Sequence, residues 1–271
     1  MIQVSQNVYV ETGIFACNLG VITTKEGNIL VDTPERPSDA VRWRDEVGKK
    51  GEVRYLINTE EHPDHAHSSR FLPGILITHE KTRERLAKLP VEEILERVKG
   101  TDPEGLPFME GFRLRLADIT FSESLSLFLG GQTVKLFHLP GHSEGGMAVY
   151  IPAEKVVFTT DIVFHRRKSW LHEATPSRWL ESLKKLRELD VDVIVPGHGD
   201  LCKKDYLDEQ AAVVEKWVDA VRSAIEKGLS EEEAVAKISP PDPHPKQPKT
   251  PMTEEQLNRA IISRLYHLYA K

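Results

Sequence analysis

Asn58-Thr59-Glu60-Glu61-His62-Pro63-Asp64-His65-Ala66-His67 is the stretch on which the reading of this 271-residue chain turns. It directly follows Val53-Arg54-Tyr55-Leu56-Ile57, whose β-branched and apolar residues predict a strand. The loop therefore leaves the C-terminal end of a strand, where α/β proteins gather their sites. Glu60, His62, Asp64 and His65 all carry donor atoms suited to a divalent metal. Glu60 and His62, two residues apart, face the same way if the backbone stays extended. Asp64 and His65 are adjacent and need a turn to be aimed apart. A solvated polar loop is the plainer alternative. Three histidines and three carboxylates between Glu60 and His67 argue against it.

The pattern extends outward in both directions. Upstream, Val8-Tyr9-Val10, Asn18–Ile22 and Asn28–Val31 predict strands, with a turn at Glu26-Gly27-Asn28 and Asp32 at the last strand's end. Ser38 is expected to cap a helix through Val47, closed by Gly48. Downstream come a short strand at Leu76-Ile77 and helices over Glu80–Leu89 and Val91–Lys99, then an irregular Gly- and Pro-rich connection over 100–113. Further strands are expected at Ile119–Phe121, Leu125–Leu129, Val134–Leu139, Met147–Ile151 and Val156–Phe158, with Gly130-Gly131 as a hairpin turn. Thr175-Pro176 opens a helix to Leu189, and Val191–Val195 is a last strand. Three more metal-ligand types fall just after strands: His142 in Pro140-Gly141-His142-Ser143, Asp161 in Phe158-Thr159-Thr160-Asp161, and His198 in Val195-Pro196-Gly197-His198-Gly199. Each alone is more often structural. Their shared placement beside Gly or small residues, where the chain turns sharply, makes them a set.

After Lys203 the character becomes helical. A helix runs to Lys227, Ser230 with Glu233 forms a capping box, Ser239–Pro251 is a Pro-rich linker, and Thr253 with Gln256 caps a last helix ending near Tyr269. We therefore divide the chain into residues 1–203 and a helical extension, 204–271, that covers the site or forms a homodimer interface. Hydrophobic residues are 39% of the chain, enough for a substantial core. A net charge of −6 argues against nucleic acid or an anionic membrane as partner and leaves a small molecule as the expected one. Cys17 and Cys202 cannot form a disulfide scaffold, and Cys202 is read as a packing residue. No run reaches the roughly 18–20 apolar residues of a membrane span. Met1–Gln6 has no leader pattern, so a cytoplasmic protein is expected.

These residues resemble the signature of the metallo-β-lactamase superfamily, in its glyoxalase II-like hydrolase branch. That signature is His-x-His-x-Asp-His, then a His, an Asp and a His at strand ends. Glu60-x-His62-x-Asp64-His65, His142, Asp161 and His198 stand at those positions, and Asp32 matches the family's early strand-end Asp. The departure is Glu60, where the family usually has His. The resemblance implies an α/β protein with the four-layer αββα fold, carrying the helical extension. It implies a first metal position at Glu60, His62 and His142, a second at Asp64, His65 and His198, and Asp161 bridging both. Two divalent ions are expected, zinc foremost and manganese or iron as alternatives, since a carboxylate at position 60 favours a harder ion. Alternatively Glu60 does not ligate and the first position is weak.

Such ions lower the pKa of a bound water from about 15.7 towards about 7. The expectation is a hydrolase that uses metal-bound hydroxide on a small ester, thioester, lactone or lactam, with Asp64 orienting the nucleophile as catalytic residue. His165, Arg166, Trp170 and His172, with Arg167 and Lys168 among them, are candidates for binding an anionic group of the substrate. A basic solvated loop is their plainer reading. His67 either supports the ligands or is an exposed polar residue. Two other functions stay open. One is a mononuclear iron oxygenase of the persulfide dioxygenase type, for which His62, His142 and Asp161 supply two histidines and a carboxylate. The other is a non-catalytic binding protein of the same fold.

Overall fold

The computed structural model describes residues 1–15, 17–247 and 252–270. Residues 1–121 build one sheet from β1 (Ile2–Gln3), β2 (Val8–Glu11), β3 (Leu19–Thr24), β4 (Gly27–Val31), β5 (Val53–Ile57), β6 (Ile75–His79) and β7 (Ile119–Phe121), side by side in chain order. The strands are antiparallel as far as β4, then parallel from β4 to β7. Parallel neighbours need crossovers. These are α1 (Pro37–Gly48), the single turn α2 (Pro63–Ala66), and the pair α3 (Glu80–Leu86) and α4 (Val91–Thr101).

The second sheet begins with the meander β8 (Ser124–Leu129), β9 (Gln132–His138), β10 (Met147–Ile151) and β11 (Val156–Phe158). A short β12 (Phe164–His165) and α5 (Pro176–Glu188) lead to β13 (Val193–Val195), which pairs in parallel with β11. Immediately after it, β14 (His198–Gly199) pairs with β12. The chain continues through α6 (Tyr206–Glu226), α7 (Glu231–Lys237) and α8 (Glu254–Tyr269).

Period-two alternation sorts the side chains into layers. Ile29 and Val31 enter the core between the sheets with Ile22, Ile57 and Ile77. Leu30, on the opposite face, packs with Val21 and Leu56 against Trp43 and Val47 of α1. In β10, Met147, Val149 and Ile151 face the first sheet. Ala148 and Tyr150 instead join Trp179 and Leu183 of α5 and Trp217 and Val221 of α6. The result is the expected four-layer αββα sandwich. Leu257, Ile261, Ile262 and Leu265 of α8 are fully buried in that same outer core. At roughly 2 kcal/mol for each such side chain, this burial rather than intrinsic helix propensity holds α8 in place.

The capping boxes Ser230/Glu233 and Thr253/Gln256 are both formed. Part of the Pro-rich linker, 248–251, lies outside the described residues. Ser38 is not a cap. Pro37 already opens α1, with Arg36 at the N-cap, and the Ser38 hydroxyl and N–H instead donate to Asp102 at 2.8 and 2.9 Å. The connection over 100–113 holds one 3₁₀ segment, Pro103–Met109. Among the described residues, no helix is long and apolar enough to cross a membrane.

Candidate metal centre

The candidate ligands all sit at one edge of the sandwich, just after strands. Glu60 follows β5. His62 keeps an extended backbone, φ −65° and ψ 156°, and Pro63 then starts α2. Asp64 and His65 lie in that first helical turn, so the turn demanded by their adjacency is a helix start. Gly141 sets His142 after β9. Its φ is +149°, and a Cβ there would overlap the backbone of Trp179. Asp161 lies on a 3₁₀ turn after β11, beside Thr160 at φ 47°. Gly197 presses against that turn so closely that a Cβ would overlap the Asp161 carboxylate. Gly197→Ala is therefore expected to displace Asp161 and weaken metal binding by about tenfold or more, measured by zinc titration.

The side chains converge in two groups. In the first, His62 Nδ1 lies 3.3 Å from Glu60 Oε2 and 3.1 Å from His142 Nε2. In the second, His198 Nε2 lies 3.2 Å from Asp64 Oδ2, and His65 Nε2 is 3.9 Å from the same oxygen. Asp161 reaches both. Its Oδ1 is 3.3 Å from His65 Nε2, and its Oδ2 is 3.5 Å from His142 Nε2 and 3.3 Å from His198 Nε2. Glu60 Oε1 is 3.2 Å from His65 Nε2, so the two Glu60 oxygens face different groups. Glu61 points away, accepting from the Thr82 hydroxyl at 3.2 Å.

These residues fit a pair of cations on three grounds. Both oxygens of Glu60, Oδ1 of Asp161 and Nε2 of His65 are buried with no hydrogen-bond partner among the described residues, a costly state without an ion. His62 and His142 each commit their other ring nitrogen elsewhere, to Glu173 Oε2 at 3.4 Å and to the Trp170 carbonyl at 2.8 Å. Their facing nitrogens thus present two lone pairs. The 3.1 Å gap between them is close to the roughly 3.3 Å that a tetrahedral ion with 2.0–2.1 Å bonds sets between its ligands. Finally, protons take the cation's place when none is bound. Burial pushes the His62, His65 and His198 imidazoles down, but neighbouring carboxylates, preceded at His65 by Cys17, outweigh it and hold all three above the ordinary range, His198 at about 10. Burial likewise pushes Asp161 and Asp64 up, and the neighbouring imidazoles more than reverse it.

The second group is braced from the first sheet. His65 Nδ1 donates to Asp32 Oδ2 at 3.0 Å, and Asp32 accepts from the Thr59 N–H and hydroxyl at 2.7 Å each. The first group is braced from the loop after β12. Glu173 takes a two-pronged hydrogen bond from Arg85 of α3 at 2.5 and 2.8 Å while contacting His62. The hydrogen bond from His62 lowers the Glu173 carboxyl far below its usual range, burial opposes, and Arg85 adds to the lowering.

Both groups open on a cavity of about 480 Å³ lined by His62, Asp64, His142, Asp161 and His198 and walled by Phe15, Trp170, His172 and Met252. Of the residues expected to bind substrate, Trp170 and His172 line this cavity, as does Arg167. His165 and Arg166 do not. Pairing of β12 with β14 turns His165 towards the Asp200 carbonyl, 2.8 Å from Nδ1, and against Tyr206. Arg166 is exposed, its backbone N–H donating to the Tyr206 hydroxyl at 2.9 Å. Lys168 is not a solvated residue but a fully buried one, its ammonium 2.5 Å from Glu254. His67 is buried, and desolvation drives its pKa to about 3. Cys202 lies in the outer core, where burial raises its thiol to about 12. The sequence reading missed Glu173 and Arg85, and also the Arg97–Glu35 ion pair, 2.8 Å long, that lines the same cavity. Glu173 and His62 are 111 residues apart, and no local pattern ties them.

An αββα sandwich with two ligand triads sharing a carboxylate at its edge defines a metal-binding enzyme scaffold. The sequence model of the Metallo-beta-lactamase superfamily matches residues 12–198, and the chain belongs to that superfamily. The hydroxyacylglutathione hydrolase of Brucella ovis is 29% identical over 219 residues, 79% of this chain and 72% of that enzyme. That of Bartonella henselae is 34% identical over 93 residues, spanning 34% of this chain and only 37% of the enzyme's length. Among solved structures, a metallo-beta-lactamase from Pontibacter korlensis superposes with TM-score 0.62 at 18% identity, over 79% of this chain and 97% of its own. A sec-alkylsulfatase from Pseudomonas sp. reaches 0.71 at 14% identity, over 99% of this chain and 50% of its own. At these identities the structural likeness is one of fold.

Proposed function

We propose that the protein is a divalent-metal hydrolase of small esters or thioesters, lactones and lactams being the related alternatives, with two ions, zinc foremost. The observation that supports this most is the pair of largely buried triads, with orphaned carboxylate oxygens, opening on one cavity. Glu60, His62 and His142 would hold one ion, Asp64, His65 and His198 the other, and Asp161 would lie between them. When bound, such ions lower the pKa of a coordinated water and polarise the scissile carbonyl.

The chain's own groups do the rest. Asp64 lines the cavity with its carboxylate ionised, so it accepts a hydrogen bond from the attacking water and orients it. Trp170, Phe15 and Met252 offer the substrate an apolar wall that excludes bulk water. Burial lowers the His172 imidazole to about 4, so it is neutral at pH 7 and adds no positive charge beside the cations. Three arginines line the cavity; Arg85 is engaged by Glu173 and Arg97 by Glu35, and Arg167 is placed to meet an anionic group of the substrate. Thioester hydrolysis by the Brucella and Bartonella relatives is suggested by their names alone and supports the thioester as the first substrate to try.

The test is a panel of acyl thioesters, esters, lactones and lactams assayed before and after chelation, and again with Zn²⁺, Mn²⁺ or Fe²⁺ restored. Turnover that chelation removes and one of these ions restores is the expected result. No chelator-sensitive turnover on any substrate, or one iron per chain with oxygen uptake, overturns it.

A further inference from the structure

We propose that residues 168–174 form a strap, pinned by the C-terminal helices, that sets the ring orientation of His62 and His142, so that one of the two metal positions depends on α8 and the other does not. This rests on the metal reading above.

The strap is tied on two sides. On its inner side it supplies the groups that fix both histidines of the first triad. The Trp170 carbonyl accepts from His142 Nδ1, and the Glu173 carboxylate accepts from His62 Nε2. Each bond leaves the opposite nitrogen, His142 Nε2 and His62 Nδ1, as the free ligand atom. Partners of this kind set tautomer and ring angle for a metal-bound histidine. Glu173 and Trp170 are thus positioning residues.

Arg85 of α3 holds Glu173 itself, and the rest of the strap is held from beyond residue 203. The Lys168 ammonium meets Glu254 Oε1 at 2.5 Å and Asn258 Oδ1 at 3.3 Å on α8. The Lys168 N–H donates to the Pro245 carbonyl at 2.9 Å, and the Ser169 N–H to Asp242 Oδ2 at 2.8 Å. Gln210 of α6 donates to the Ser169 hydroxyl at 2.9 Å. Arg264 of α8 donates to the Ala174 carbonyl at 3.0 Å. The second triad is held differently: Asp32 and Thr59 of the first sheet orient His65, and Asn18 holds the Pro196–Gly199 turn by donating to the Pro196 and Gly199 carbonyls at 2.9 Å each. Its His198 strand pairs with β12, which Gln210 and Tyr206 of α6 hold at Phe164, so α6 serves both triads and α8 braces the first.

The experiment is calorimetric titration of Zn²⁺ into the chelator-stripped full chain, comparing wild type with Glu173→Ala, Glu173→Gln and Glu254→Ala. In wild type two binding events are expected. Glu173→Ala and Glu254→Ala should each weaken one event by about tenfold or more and leave the other unchanged. Glu173→Gln, whose amide oxygen still accepts from His62, should recover most of the loss. The unchanged event certifies the fold of each variant. Should Glu173→Ala not fold, Glu254→Ala carries the test, because its side chain is 59% exposed. Two wild-type events in both alanine variants, or equal weakening of both events, overturns the strap. A wild-type chain that takes up no pair of ions overturns the metal reading itself, and the strap with it.

Discussion

Asp64→Ala should lose at least about a thousandfold in turnover while the fold survives. The estimate takes the middle of the 10²–10⁴ range for a positioned acid–base group, and loss of a metal ligand adds to it. The side chain is 18% exposed, faces the cavity and belongs to none of the hydrophobic cores, so its removal leaves those cores intact. The bond that ties Asp64 into the structure is to its backbone, whose carbonyl accepts from the Cys17 thiol at 2.9 Å, and that bond remains. His198 keeps its second partner, Asp161 Oδ2, at 3.3 Å. Asp64→Asn separates two effects, keeping the shape while removing the charge. The measurements are kcat at saturating metal and a thermal melt. Retained turnover would remove Asp64 from the mechanism. A melting point lowered by tens of degrees would make it a structural residue instead.

The largest loss of stability is expected at Trp179. It is fully buried on α5, stands edge-on to His142 at 5.5 Å between ring centres, and donates from Nε1 to the Ile162 carbonyl at 2.8 Å. Trp179→Ala opens a cavity, worth about 3–5 kcal/mol for such a residue. It also strands the Ile162 carbonyl, which adds about 1–3 kcal/mol. Domains of ordinary stability have only about 5–15 kcal/mol in total. Urea denaturation should therefore show a midpoint near or below half that of wild type. Trp179→Phe refills most of the volume without the N–H and should recover more than half of the loss. An alanine variant within about 1 kcal/mol of wild type would show that the outer core does not depend on this ring.

The strands of both sheets were legible because their signal is local. Ile29, Leu30 and Val31 alternate between two apolar cores, and each choice shows in a few consecutive residues. The first ligand block was legible because Glu60 to His65 is contiguous. His142, Asp161 and His198 could be added because each follows a strand beside a glycine or a small residue. What braces the ligands was not legible. Glu173 reaches Arg85 across 88 residues and His62 across 111, and neither pairing leaves a mark in the local sequence. His165 and Arg166 were misread for a related reason. Following Asp161 suggested a loop facing the cavity, but pairing with β14 from beyond residue 195 turns both away. Ser38 lost its cap to Pro37, whose fixed φ starts the helix two residues earlier, with Arg36 at the N-cap. That Glu60 turns its two oxygens towards different groups also depends on distances that no spacing rule contains.

The burial of Lys168 has a consequence for synthesis. Its carboxylate partner, Glu254, emerges 86 residues later. A ribosome that has just released residue 203 has exposed both sheets and all seven candidate ligands, but nothing to neutralise the Lys168 ammonium. Burying an unpaired charge costs several kcal/mol, so the nascent segment around it stays in water until α8 arrives. The sandwich can close during translation, whereas the wall of its cavity is finished only after the last helix has docked.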